Sequence, residues 1–165
     1  MIRVLSATGF LGYGFNKSVF FDSIKHNRPD VIAVDASSSD PGPFYLGSGE
    51  PLCPKGAIKE DLMALVEAAV EHNVRVIIGG ACGSGENRSL DWMLGIIKEI
   101  SEERNYNFDV AVIRSNISKE HIHKQLEKTK IESLAPQFGD LTHEMVDASE
   151  AIVAQIEVPM ILSLS

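Results

Sequence analysis

Cysteine is nearly absent. Only Cys53 and Cys82 occur in 165 residues, too few for a disulfide framework, so an apolar core must carry the fold. Positive charge is also scarce: 15 Lys and Arg stand against 23 Asp and Glu, a formal net charge of −8. That balance leaves no basic stripe to neutralise a run of phosphates and argues against nucleic acid as a partner. No apolar run approaches the roughly 20 residues of a membrane-spanning helix, because charged and turn residues interrupt each one, and no membrane association is expected. The start, Met1-Ile2-Arg3-Val4, lacks the long apolar stretch of a secretory signal. A soluble, cytoplasmic protein is the expected class. What is present is ordinary globular material, 44% apolar and 23% charged, which lies outside the disordered class. The length fits one α/β domain over residues 1–165.

Short β-branched runs over 2–6, 31–34, 75–78 and 108–113 each end at small or turn-forming residues and read as buried strands. Their near-continuous apolar character predicts parallel strands covered on both faces. Between them, Ile58, Leu62, Leu65, Val66, Ala69 and Val70 recur at helical spacing and predict a helix over 55–72. Leu90, Met93, Ile97 and Ile100, widened by Trp92 and Ile96, predict another over 89–104. Ser118 and Thr142 are N-cap residues for two later helices, the second with Glu144 at the positive end of its dipole. This β-α alternation predicts an open, doubly wound, mostly parallel sheet of at least four strands. Such a Rossmann-like arrangement binds ligands outside the carboxyl ends of its strands. The loops beginning at Thr8, Asp35, Gly79 and Arg114 are therefore expected to gather at one edge.

The first of these loops places Gly9, Gly12 and Gly14 between strand and helix, and Asp35 ends the next strand, where a dinucleotide-binding fold has its ribose carboxylate. Lys17 stands where the third glycine of G-x-G-x-x-G belongs, and no Tyr-x-x-x-Lys pair lies outside this turn, so NAD is disfavoured. The second loop, from Asp35 to Gly49, is polar and stiffened by Pro41 and Pro43. Asp35 and Asp40 are the candidate catalytic pair, as acid and base or as hard ligands for a divalent metal, with serine hydroxyls completing the shell. An Asx-turn at Asp40 is the plainer alternative. The third loop, 79–87, frees backbone amides toward an anion, but Glu86 and Asn87 replace the Lys and Ser/Thr of a phosphate-binding P-loop. Cys82 is read as a small strand-end residue rather than a nucleophile. Candidate ligand-binding residues are Gly12, Gly14, Ser38, Tyr45, Gly80, Cys82, Gly83, Ser84, Gly85, Arg114 and Asn116. His121 and His123, two apart on a helix, face different ways and make a poor metal pair.

The segment Arg28-Pro29-Asp30-Val31-Ile32-Ala33-Val34 followed by the Asp35–Gly49 loop resembles the acyclic terpene utilisation AtuA-like family. Gly12-Tyr13-Gly14-Phe15, Ile77-Ile78-Gly79-Gly80-Ala81-Cys82-Gly83 and Ile152-Val153-Ala154-Gln155 follow in the same order, and Asp-Pro-Gly-Pro-Phe-Tyr-Leu-Gly is the specific part. The resemblance implies the amino-terminal portion of a longer architecture, working on acyl-CoA or carboxylate intermediates of acyclic terpene and branched-acid breakdown. It carries over a site region and no mechanism.

Two functions follow as expectations. In one, the edge binds an anionic small molecule and does chemistry on it. In the other, the domain is a non-catalytic module for a ligand or partner subunit, completed by a further carboxyl-terminal region. The stretch from Ala151 to Ser165 is strongly apolar, with Glu157 its only charge, and needs cover. A homo-oligomer or that further region would supply it; the alternative is a final helix or strand folded onto the chain's own sheet.

Overall fold

The computed structural model describes residues 1–37, 43–83, 85–129, 131–133, 137, 139–154 and 160–163. The strands are β1 (Val4–Leu5), β2 (Val31–Ser37), β3 (Arg75–Gly83), β4 (Asp109–Ala111) and β5 (Met160–Ser163). The helices are α1 (Lys17–Asn27), α2 (Pro43–Ser48), α3 (Lys55–His72), α4 (Asn87–Arg104), α5 (Lys119–Lys128) and α6 (His143–Ala148). Local chemistry sets most boundaries. Asn16, Ser118 and Thr142 cap α1, α5 and α6 by accepting from Val19, His121 and Met145 N–H. Asn73 and Asn105 end α3 and α4 in the left-handed conformation that Asn tolerates.

β1, β2 and β3 pair in parallel, with Val4 opposite Val31 and Ile32 opposite Val76. Four adjoining parallel strands were expected; instead β5 enters between β3 and β4, antiparallel to both, in the order β1-β2-β3-β5-β4. Ile161 lies opposite Ile77 on one side and Ala111 on the other. The apolar late segment thus takes the place beside β3 that β4 would otherwise fill. Within 160–163 it folds onto the chain's own sheet, the alternative to cover by a partner.

Two-sided cover is also corrected. Ile32, Val34, Ala36, Val76 and Ile78 are buried, whereas Val31, Ala33, Asp35 and Ile77 are half-buried and Arg75 is exposed. β-Branched residues on both faces hide this alternation in the sequence. The strand order runs one way from β1 to β4, so right-handed crossovers lay their helices on the same face, where α3 packs against both α1 and α4. Among the described strands the order reverses only at β5, which returns between β3 and β4 and runs antiparallel to both. Leu62, Leu65 and Val66 of α3 and Met93, Ile96 and Ile100 of α4 are sealed against the buried face, each contributing roughly 1.5–3 kcal/mol. α5 and α6 pack on each other. Among the described residues no helix is long and apolar enough to cross a membrane.

Candidate functional site at the strand carboxyl edge

The first turn is held from below by a residue that the sequence reading passed over. Asp61 of α3, 2% exposed, accepts from Gly12 N–H at 2.8 Å and Gly14 N–H at 3.1 Å. Gly12 has φ 99, and a Cβ there would lie 2.7 Å from both Cys53 Cβ and Ile58 Cδ1, so only glycine fits. The amides expected to face a ligand are therefore turned inward onto the chain's own carboxylate. Burial, and secondarily the Asp61 charge, pushes the Cys53 thiol above its ordinary range. Asp61 sits three residues after Ile58 on the buried stripe of α3, and a carboxylate at a core position was the available signal.

The turn then joins the sheet, Leu11 N–H donating to the Asp35 carbonyl at 2.9 Å. Asp35 is half-buried near the end of β2, opposite Gly79. Gly80 and Gly83 are strand rather than loop. Asp35 pairs with Gly79 but Ser37 with Gly83, so a bulge in β3 absorbs the extra residues, as glycine in a strand often allows. Gly80, Cys82 and Gly83 all belong to β3.

Beyond β3, Gly85 leads into α4, whose N-cap is Glu86, 6% exposed. Its carboxylate accepts from Arg88 N–H at 2.7 Å and lies 3.5 Å from the Arg88 guanidinium, so the positive end of α4 already carries an anion. Arg88, half-exposed, rests against Gly49, whose φ is 66 and whose added Cβ would fall onto the guanidinium. The second and third loops thus meet at a cation that sequence spacing did not single out. Tyr45 stands in α2, edge-on to Phe44 with ring centres 5.1 Å apart.

The loop after β4 is tied to the same region. Ser115 donates its hydroxyl to the Gly85 carbonyl at 2.7 Å, and Asn87 N–H donates to Asn116 Oδ1 at 2.9 Å. Asn87 Oδ1 is itself buried with no partner among the described residues. Arg114 turns instead to Asp91 of α4, at 2.5 and 3.3 Å, and this pairing holds the Asp91 carboxyl below its usual range.

Asp40, Ser38 and Ser84 lie outside the described residues, as does the Cys82 side chain. The structure therefore places Gly12, Gly14, Asp35, Gly80, Gly83, Gly85 and Asn116 on loops and strand ends joined by hydrogen bonds and strand pairing, and Tyr45 in α2, where its carbonyl accepts from Gly49 N–H. No group of three or more His, Cys, Asp or Glu among the described residues is arranged to hold a metal. No family model, curated protein or solved structure matches the chain.

Proposed function

We propose that the carboxyl edge of β1, β2 and β3 binds an anionic small molecule, a carboxylate or an acyl-CoA, with Arg88 as its cation. The observation that carries this reading is the meeting of Gly49 with Arg88, five residues beyond the end of β3, where Gly83 lies against Leu52 of the same connecting segment. Glu86 fixes the guanidinium from one side while half of the side chain stays open to solvent. A planar guanidinium so held presents paired donors suited to a carboxylate or phosphate. The parallel half of the sheet, Rossmann-like in its crossovers, supports a ligand at this edge.

The resemblance to the AtuA-like family supports a substrate from acyclic terpene or branched-acid catabolism. In the enzyme reading Asp35 and Asp40 supply acid and base. The non-catalytic reading, a ligand-binding or subunit-interaction module, is favoured by a specific observation: two places where backbone amides converge, at Gly12–Gly14 and at the start of α4, are filled by Asp61 and Glu86. A nicotinamide cofactor fits poorly, since its pyrophosphate would have to displace the buried Asp61 carboxylate. A cytoplasmic location and a homo-oligomer belong to the same proposal.

Calorimetric titration with a short branched acyl-CoA tests it. Wild-type protein and Arg114→Gln are expected to bind alike, and Arg88→Gln at least ~10-fold more weakly, the loss of about one charge-assisted hydrogen bond. Equal binding by wild type and Arg88→Gln would remove Arg88 from the site.

A further inference from the structure

The helix pair α5 and α6 brings together two histidines that sequence spacing kept apart. His123, on α5, places Nδ1 2.6 Å from Nδ1 of His143, the first residue of α6. The ring planes differ by 10° and the ring centres are 4.9 Å apart. The centre separation exceeds the nitrogen separation by the two ring radii, so the rings lie edge to edge with like nitrogens facing. The far nitrogen of His123, Nε2, is 3.0 Å from Asp147 Oδ1. A carboxylate accepts only, so Nε2 carries the proton there, and Nδ1 of neutral His123 is left as a bare lone pair aimed at His143. His143 must then keep its own proton on Nδ1 for the contact to be attractive.

From this arrangement we infer that His123 and His143 form a site for a divalent transition-metal ion of the imidazole-seeking class, typified by Zn2+, with Asp147 as the positioning residue. The ion replaces the single proton between the two nitrogens, and His143 moves that proton to Nε2. Each ring then gives a nitrogen lone pair, and water fills the remaining positions. Asp147 does for His123 what outer carboxylates do for metal-bound histidines generally: it fixes the tautomer, the ring orientation and the basicity of the ligating nitrogen. With metal–nitrogen bonds of roughly 2.0–2.1 Å, two ligands of a tetrahedral ion lie ~3.3 Å apart, so the nitrogens need to part by less than 1 Å and the two rings to turn from head-on until their lone pairs converge on the ion.

The scaffold is set beforehand. Ser118 and Thr142 cap the two helices, and Lys119 Nζ donates to the Asp147 carbonyl at 2.9 Å, binding the start of α5 to α6. His123 is three-quarters buried, with 26% of its side chain exposed. Glu120 and Glu127, three residues before and four after His123, share its side of α5 and add negative charge nearby. His121 takes no part; it faces Gln125 within its own helix. The site is independent of the carboxyl-edge proposal.

Titration of the whole chain with Zn2+ near neutral pH, with Mg2+ as the oxygen-seeking control, tests the inference. One Zn2+ per chain and no Mg2+ are expected, with binding lost in His123→Ala and His143→Ala and weakened ~10-fold in Asp147→Asn. Failure of wild type to bind Zn2+, or unchanged binding in both alanine variants, overturns it. A second measurement needs no variant. Traces of Cu2+ added to wild-type protein should broaden the ring proton resonances of His123 and His143 before those of His26, His72 and His121; broadening that begins elsewhere overturns the assignment.

Discussion

Replacing Asp61 probes the first turn directly, because its carboxylate is the floor on which Gly12 and Gly14 rest. Each hydrogen bond to a charged acceptor contributes roughly 1.5–3 kcal/mol. Asp61→Ala removes two of them and leaves the Gly12 amide unpaired beside Cys53 and Ile58, while Gly14 is exposed. The expected cost is about 3–5 kcal/mol, a large part of a total stability of roughly 5–15 kcal/mol. Asp61→Asn keeps an acceptor oxygen but loses the charge, and should cost about 1–2 kcal/mol. Urea unfolding followed by circular dichroism reads both. The alanine variant carries a further signature: formate should stabilise it more than wild type, since a small carboxylate can enter the vacated place. If Asp61→Ala lies within about 1 kcal/mol of wild type and formate has no selective effect, the turn is not built on Asp61.

Other outcomes follow from the same contacts. Gly12→Ala combines a positive φ with a 2.7 Å collision against Cys53 and Ile58 and should lower stability by about 2–5 kcal/mol in the same assay. Asn116→Ala deprives Asn87 N–H of its acceptor at a cost of about 1 kcal/mol, with the α4 N-terminus fraying first in amide exchange. The Tyr106 phenol is pushed up to about 12, chiefly by its hydrogen bond to Glu71. Its folded value is raised, so the stability that it brings is full below its ordinary value near 10 and is lost as pH climbs toward about 12. Its phenolate absorbance should emerge only as pH approaches about 12, and Tyr106→Phe should flatten the alkaline loss of stability.

The long helices were the most legible part of this chain, whereas α2 (Pro43–Ser48) forms inside the 35–49 stretch that reads as a loop. The α3 stripe gives its bounds from Ile58, Leu62, Leu65 and Val66 because helix burial repeats over five turns, and Ser118 and Thr142 cap as their chemistry requires. Strands were legible as segments but not as neighbours. Nothing local in Met160-Ile161-Leu162 says that it enters beside β3 against the direction of that strand, since pairing is decided by competition among apolar segments across the whole chain. The glycine run shows the same limit: Gly79–Gly83 reads as a loop, yet its pairing with β2 makes it a bulged strand. At the site, sequence located the loops but not which groups they leave open. Gly12 and Gly14 carry the right dihedral freedom, but their amides are consumed by Asp61, 49 and 47 residues away. The His123–His143 contact, 20 residues apart, depends on how α5 meets α6 and has no signature in spacing.

The proposed site is defined by where an anionic ligand touches the protein. Backbone amide spectra recorded while a short branched carboxylate, and then its CoA thioester, is added to the whole chain answer this residue by residue. The largest shifts are expected on Gly80, Gly83, Gly85 and Arg88, spreading to Gly49, while Gly12 and Gly14, held by Asp61, stay still. Shifts centred on Gly12 and Gly14, or none at the carboxyl edge at saturating ligand, would contradict it.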